Sequence, residues 1–263
     1  MPSGHLPALV TLVSLTELNM TATKQETRPA RFRSFYWALG LIAIAGVGTL
    51  AWVTRTDSGA TTAAITLPAI PREARSEISR SAHGVKNGAD NAPVRLFVFS
   101  DFMCPACQHF TLRVEPLLRQ EFVASGKVLI VHYDHPLADI HRWAFVAARA
   151  ALCANDQGKF WPYHDRLFNV QKEWATEEKP PVETLNRYAG ELGLDRSAFG
   201  RCLNSDQHAQ LVTANYALGL TLGVRGTPTL IMNGRILGQE WQDYSLLRLR
   251  IEQELQALNP AAR

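Results

Sequence analysis

The stretch that decides the fold is Val94-Arg95-Leu96-Phe97-Val98-Phe99-Ser100-Asp101-Phe102-Met103-Cys104-Pro105-Ala106-Cys107. Its first six residues are nearly all apolar and rich in aromatic and branched side chains, a composition typical of a strand buried on both faces. Two cysteines separated by two residues follow, and a helical pattern begins there. The stretch therefore predicts a strand that leads a cysteine pair into the first turn of a helix.

The residues around this stretch predict a βαβ unit. Apolar residues at helical spacing continue to Ser125-Gly126, and Pro116 is expected to kink this helix. A second apolar run over 127–133 predicts another strand, whereas residues 84–93 are rich in turn-forming residues. Strand, helix and strand in this order predict a parallel strand pair joined by a crossover helix.

The rest of the folded part is predicted to be helical until a hairpin near the C-terminus. Helices are predicted at 140–154, 159–170, 182–192, 195–203 and 206–222. Asn233-Gly234 between two strand-like runs, 226–232 and 235–237, is a strong hairpin signal. An amphipathic helix over 243–258 is predicted to follow.

The N-terminal part has the features of a membrane segment. The 19 residues from Phe35 to Val53 carry no charge and would span about 28 Å as a helix, close to the thickness of a bilayer core. Four basic residues precede this run and only Arg55 follows closely, so we expect residues 1–34 in the cytoplasm and the remainder outside it. The alternatives are a buried core helix and a cleaved signal peptide, although the run is long for the latter and no clear cleavage site follows.

Two further features concern the same part of the chain. Residues 54–82 are predicted to be a linker, because Ser, Thr, Ala and Gly are frequent there and Pro68 and Pro71 follow. Met20 stands just before the basic cluster, so translation starting there is a second hypothesis, which the intact mass of the protein tests.

The net charge of +3 comes entirely from the N-terminal part. Residues 1–55 hold five Lys or Arg and two Glu, which leaves 22 basic and 22 acidic residues in the remainder. The folded part is therefore neutral. A nucleic-acid function, which needs a basic surface to hold phosphates, has no support.

The cysteine pair is predicted to be redox-active. With Cys104 at the helix start and Pro105 at the first helical position, the backbone N–H groups of Ala106 and Cys107 favour a thiolate, and such sites lower a cysteine pKa from about 8.5 to between roughly 3.5 and 7.5. Cys104 is expected to be the exposed nucleophile and Cys107 the buried resolving thiol. The alternatives are a structural bridge, a zinc site, for which a second closely spaced pair of ligands is missing, and a copper site completed by His109 or His135.

The other two cysteines, Cys153 and Cys202, both lie in apolar surroundings of predicted helices. They are either buried free thiols that act as small hydrophobic residues or, in an oxidising compartment, a disulfide. A bridge closing a loop of about fifty residues would stabilise the fold by roughly 4 kcal/mol.

Three motifs resemble the DsbA-like thiol:disulfide oxidoreductases, in particular their membrane-anchored branch. They are Phe99 to Cys107, Gln157 to Trp161, and Gly223 to Thr229 together with Asn233-Gly234. The resemblance covers about residues 83–258. It implies an α/β thioredoxin fold with halves at 83–138 and 223–263 and a helical domain inserted at 139–222. It also implies that Pro228 is cis and packs against the cysteine pair, and that Thr227 offers backbone groups to an extended substrate.

The function implied by this resemblance is that of an extracytoplasmic enzyme, held to the membrane through residues 35–53. It would work mainly as an oxidase that introduces disulfides into unfolded or exported proteins through Cys104 and Cys107, without a cofactor. A quinone-linked membrane partner, DsbB-like or VKOR-like, would reoxidise the pair. A reductase or isomerase of the same fold and a thiol-based copper-handling or metal-handling assembly factor are the alternatives.

One position departs from the family pattern. Thioredoxin and several DsbA-type proteins bury an acid six residues before the first cysteine, where this chain has Val98. Asp101 is the nearest carboxylate in the sequence. We therefore consider it as a proton-transfer group, and alternatively as a surface or capping residue.

Overall fold

The structure is a computed structural model that describes residues 66–259. The predicted cytoplasmic segment, the predicted membrane segment 35–53, the first part of the linker and the alternative start at Met20 lie outside the described residues. Between residues 66 and 259, no helix has both the length and the apolar character needed to cross a bilayer.

Five strands form one mixed sheet in the order β1-β3-β2-β4-β5. They are β1 (Val85–Asn87), β2 (Val94–Ser100), β3 (Val128–Asp134), β4 (Thr229–Met232) and β5 (Arg235–Ile236). The central strands β2 and β3 are parallel, as the βαβ pattern predicts, and the other three pairs are antiparallel. β1 lies in a segment predicted to be turns, because a three-residue edge strand is too short to show a pattern of its own.

The β4–β5 hairpin has the two-residue loop that its sequence predicts. Met232 pairs with Arg235, and Asn233 and Gly234 between them have φ angles of 46° and 85°. Asparagine and glycine are the residues that adopt this left-handed conformation most readily, so they fix the register of the hairpin.

The helix after the cysteines is built from alternating α-helical and π-helical turns. α-Helical turns at Pro105–His109 and Glu115–Leu118 alternate with π-helical turns at Phe110–Val114 and Arg119–Val123. The N–H of Glu115 binds the carbonyl of Phe110, five residues back. Pro116, which has no N–H and whose ring needs space in the preceding turn, follows this widened turn directly, at the place where the sequence predicts a kink.

The remaining helices are named in chain order. A short α1 (Arg75–Ile78) precedes the sheet, and the helix just described contributes α2 (Pro105–His109) and α3 (Glu115–Leu118). The helical region comprises α4 (Ala144–Asn155), α5 (Phe160–Asn169), α6 (Gln171–Ala175), α7 (Val182–Glu191), α8 (Arg196–Leu203) and α9 (Ala209–Thr221). After the hairpin, α10 (Tyr244–Leu258) begins where the Asp243 side chain accepts bonds from the N–H groups of Ser245 and Leu246.

Two large apolar clusters organise the described residues. One contains side chains of β2, β3 and β4 and of α10, among them Val98, Leu230 and Ile251. The other contains the helical region and extends to Phe102, Cys104 and Cys107. The cysteine pair therefore lies where the helical region packs against the end of the sheet.

Candidate active site

Cys104 occupies the N-cap position of α2, and Pro105 begins the helix. Proline is suited to this position because the first helical N–H groups have no helical partner and its fixed φ angle already matches the helix. The N–H of Cys104 donates to the carbonyl of Asp101 at 3.0 Å, which closes a turn between β2 and the helix. The cysteine sulfur is thereby held at the positive end of the helix.

Both thiols of the pair are reduced and buried. Cys104 is 6% exposed and Cys107 is 0% exposed, so Cys104 is far less exposed than the sequence predicts. Its thiol donates to the carbonyl of Thr227 at 3.2 Å. The peptide bond between Thr227 and Pro228 is cis, and Pro228 is buried. The loop before β4 thus covers the sulfur from a part of the chain 123 residues away.

The two thiols differ strongly in acidity. The pKa of Cys104 is lowered to about 6, mainly by a hydrogen bond from the Cys107 thiol. Thr227 and the N–H groups of Cys107 and Ala106 lower it further, whereas burial acts in the opposite direction. Burial raises the pKa of Cys107 well above its ordinary value, and the neighbouring Cys104 raises it further. At neutral pH the pair therefore holds one thiolate, on Cys104, and one thiol.

Asp101 is a buried residue and not a surface residue. It is 1% exposed. Its carboxylate accepts hydrogen bonds from the N–H of Met103 at 2.7 Å, the N–H of Leu137 at 2.7 Å and Nδ1 of His141 at 2.8 Å. These bonds fold residues 137–141 around the end of β2, which is why α4 begins at Ala144 and not at residue 140.

Two polar residues that the sequence analysis did not single out contact this region. His141 binds Asp101, as just described, and Gln171 of α6 donates from Nε2 to the carbonyls of Phe102 at 2.9 Å and Cys104 at 3.1 Å. Gln171 is 5% exposed. In the sequence Gln171 stands next to Lys172 and Glu173, just after the helix predicted over 159–170, and nothing there indicated a buried partner.

Val98, which stands where the family pattern has an acid, packs among apolar side chains. Val98 is 3% exposed and belongs to the apolar cluster of the sheet. Its register partner on β3 is His132, which lies 3.3 Å from a carboxylate oxygen of Asp134. The structure therefore places no carboxylate at position 98 itself.

The two histidines proposed as copper ligands have other surroundings. His109 is exposed and bonds the carbonyl of Gln242 at 2.9 Å, and His135 is buried beside Tyr216 with ring centroids 4.6 Å apart. Among residues 66–259, three side chains of the types that bind metals lie close enough together to share an ion, namely Cys153, Cys202 and His208. Both of these cysteine sulfurs belong to a disulfide.

Cys153 and Cys202 form this disulfide, and the structure thus contains the bridge and not two free thiols. It joins α4 to α8 across 49 residues of sequence, with 5.8 Å between the Cα atoms. Near its Cys202 end, Asp156 bonds Nε2 of His208 at 2.8 Å. The bridge ties together helices of the region that covers the cysteine pair.

Comparisons with known proteins agree with this geometry. The sequence profile of the thioredoxin family matches residues 81–250. The chain is 31% identical over 173 residues to a probable disulfide bond formation protein D of Bacillus anthracis, which covers 64% of this chain and 76% of that protein. Oxidised BdbD of Bacillus subtilis superposes with a TM-score of 0.58 at 23% identity, covering 66% of this chain and 97% of that one. Wolbachia pipientis alpha-DsbA1 superposes with a TM-score of 0.60 at 19% identity, covering 68% and 94%. These two solved structures share the fold.

Proposed function

Because this chain belongs to the thioredoxin family and is a DsbA-like thiol:disulfide oxidoreductase, we propose that it works mainly as an oxidase through Cys104 and Cys107. The observation that carries the proposal is the contrast in acidity between the two thiols. A pair whose first cysteine is a stabilised thiolate favours its reduced form, and a disulfide that favours reduction is a strong oxidant of other thiols.

The proposed reaction consists of two exchange steps. A substrate thiolate attacks Sγ of Cys104 in the oxidised pair, the bond between the two cysteines breaks, and Cys107 takes the electron pair and a proton. A second substrate thiolate then attacks the substrate sulfur of the mixed disulfide, and Cys104 leaves as a thiolate. Two substrate thiols are thereby oxidised to one disulfide, and the pair is reduced by two electrons.

The surroundings of Cys104 suit both steps. Its low pKa makes it a good leaving group in the second step, because less basic thiolates leave faster. Burial keeps Cys107 protonated and thereby slows its attack on Sγ of Cys104 in the mixed disulfide, which would re-form the original disulfide and release the substrate unoxidised. The loop of Thr227 and Pro228 lies next to the sulfur, so its backbone groups are suitably placed for an extended substrate chain.

The compartment and partners belong to the same proposal. The uncharged run over 35–53, with its basic flank, supports an enzyme held to the cytoplasmic membrane with residues 66–259 outside the cytoplasm. Its substrates would be unfolded or exported proteins that contain cysteines. A quinone-linked membrane protein, DsbB-like or VKOR-like, would accept the two electrons from the reduced pair.

The test is the oxidation of a reduced, unfolded test protein by the oxidised chain, with a Cys104→Ser variant as the control. We expect the wild type to form the disulfides of the test protein stoichiometrically and C104S to form none. Reduction of an oxidised test protein without oxidation of a reduced one would identify a reductase. Absence of exchange, together with stoichiometric copper or zinc in the reduced protein, would instead favour the metal-handling alternative.

A further inference from the structure

The loop after β3 places a histidine against the buried carboxylate beside the cysteine pair. Nδ1 of His141 lies 2.8 Å from Oδ2 of Asp101, and the exposed fractions of the two side chains are 17% and 0%. The other two donors to this carboxylate are the backbone N–H groups of Met103 and Leu137. Of the three donors, only the imidazole of His141 can gain or lose a proton near neutral pH.

Asp101 connects this histidine to the reactive cysteine. Its side chain binds His141, while its backbone carbonyl accepts the N–H of Cys104 at 3.0 Å. The hydrogen bond to the carboxylate therefore fixes the position of the imidazole, and the backbone hydrogen bond fixes Cys104 relative to Asp101. The imidazole is partly exposed, whereas Cys107 is completely buried.

We propose that His141 is a positioning residue of the exchange reaction, which carries a positive charge held by Asp101 and thereby stabilises the thiolate of Cys104. The proposal rests on the function proposed above, since it assigns this role at the same cysteine pair. It also gives the site a partly exposed group that can exchange protons with water.

The charges around the imidazole are consistent with this role. The hydrogen bond to Asp101 is the main factor that raises the pKa of His141, and the charges of Asp101 and Cys104 raise it further, against the effect of burial. From the end of β3, His135 is buried, and burial lowers its pKa to about 4, so it is neutral at pH 7. On the loop itself, the exposed residues Asp139 and Arg142 carry opposite charges. Because the pKa of His141 is raised from 6.5 and that of Cys104 is lowered to about 6, an imidazolium at His141 and a thiolate at Cys104 coexist between pH 6 and 6.5.

This arrangement has a thermodynamic consequence that needs no mutation to detect. If the imidazolium stabilises the thiolate, the thiolate stabilises the imidazolium by the same free energy. Closing the disulfide removes the negative charge on Cys104. The pKa of His141 must therefore be lower in the oxidised protein than in the reduced protein.

The experiment is an NMR titration of the His141 ring protons in the reduced and oxidised full chain, with His208 as an internal control. His208 also bonds an aspartate, Asp156, at 2.8 Å, and its side chain is 14% exposed, but it lies beside the structural disulfide. We expect the His141 titration to move to lower pH on oxidation of the pair while that of His208 stays in place. Equal titration of His141 in both redox states would overturn the proposal.

A matched pair of variants provides a second readout. The amide of His141→Gln can still donate to Asp101 but carries no charge, and His208→Gln makes the same change away from the pair. The thiolate absorbance of the reduced protein at pH 6 should show that H141Q lowers the thiolate-to-thiol ratio at Cys104 by about three- to tenfold, and that H208Q leaves it unchanged. Equal ratios in wild type and H141Q would contradict the proposal. Oxidation of the test protein by wild type is measured separately, so loss of the His141 effect leaves the proposed oxidase function standing.

Discussion

Replacing Cys104 by serine should remove a pH-dependent part of the stability of the reduced protein. The pKa of Cys104 is lowered in the folded protein to about 6, from an ordinary value of 9.0. A group whose pKa is depressed by folding stabilises the folded state when it is ionised. This contribution is complete above pH 9, decreases as the pH falls towards 6, and is absent once the folded thiol is protonated, below about pH 5.

The size of the effect follows from the same two pKa values. The thiolate contributes about 1.4 kcal/mol at pH 7, about 2.7 kcal/mol at pH 8 and less than about 0.1 kcal/mol at pH 5. Because Cys104 is only 6% exposed, solvent screens this contribution little. The contribution of about 1.4 kcal/mol at pH 7 favours the reduced form of the pair, and it raises the redox potential of the pair by about 30 mV.

Urea denaturation of reduced wild type and C104S at pH 5, 7 and 8 measures this contribution. Serine is close to cysteine in size and does not ionise, so groups that do not interact with Cys104 affect both curves equally. The difference in unfolding free energy should grow by about 2 to 3 kcal/mol from pH 5 to pH 8. Parallel curves over this range would show that Cys104 is not a stabilised thiolate and would refute the reasoning.

Three other substitutions test the packing around the site. The double substitution Cys153→Ser and Cys202→Ser should lower the unfolding free energy measured in urea by roughly 4 kcal/mol, because the bridge closes a long loop. Oxidation of the test protein should persist, since the bridge lies outside the reactive pair. Unchanged stability would contradict this. Gln171→Leu removes the side-chain donor to the carbonyl of Phe102 and leaves that of Cys104 with the N–H of Gln108 alone, so it should cost roughly 1 to 3 kcal/mol. A loss below about 0.5 kcal/mol would mean that the bonds of Gln171 contribute little. Gly219→Ala would put a methyl group 2.4 Å from Nδ1 of His135 and should cost roughly 1 to 3 kcal/mol, measured as a shift of the denaturation midpoint, and an unshifted midpoint would show that the ring moves freely.

The parts of the site that depend on local sequence were predictable. The apolar run of β2 and Pro105 at the helix start are recognised within a few residues, and each admits few backbone conformations. The Asn233-Gly234 loop is similar, because few residue pairs adopt its φ angles. These features placed Cys104 at the N-terminus of a helix without knowledge of the tertiary structure.

The parts that depend on distant partners were not predictable from periodicity. His141 is 40 residues from Asp101, and Gln171 is 67 residues from Cys104. A polar residue in a helical or turn pattern indicates that a partner is needed and does not say which one. The burial of Cys104 was missed for the same reason, since the Thr227 loop that covers it comes from the other half of the fold. The resemblance to known proteins supplied Thr227 and Pro228, and it did not supply His141 or Gln171.

The equilibrium redox potential of the Cys104–Cys107 pair against a glutathione buffer tests the central claim most directly. A stabilised thiolate on Cys104 makes the disulfide easier to reduce, so the potential should lie above the value of about −270 mV found for thioredoxin, by about the 30 mV that the thiolate contributes at pH 7, in the direction of strong oxidants at about −120 mV. In the C104S variant the titration should disappear, while the Cys153–Cys202 bridge stays intact. A potential at or below about −270 mV would show that the pair favours its disulfide and would contradict the assignment of this chain as an oxidase.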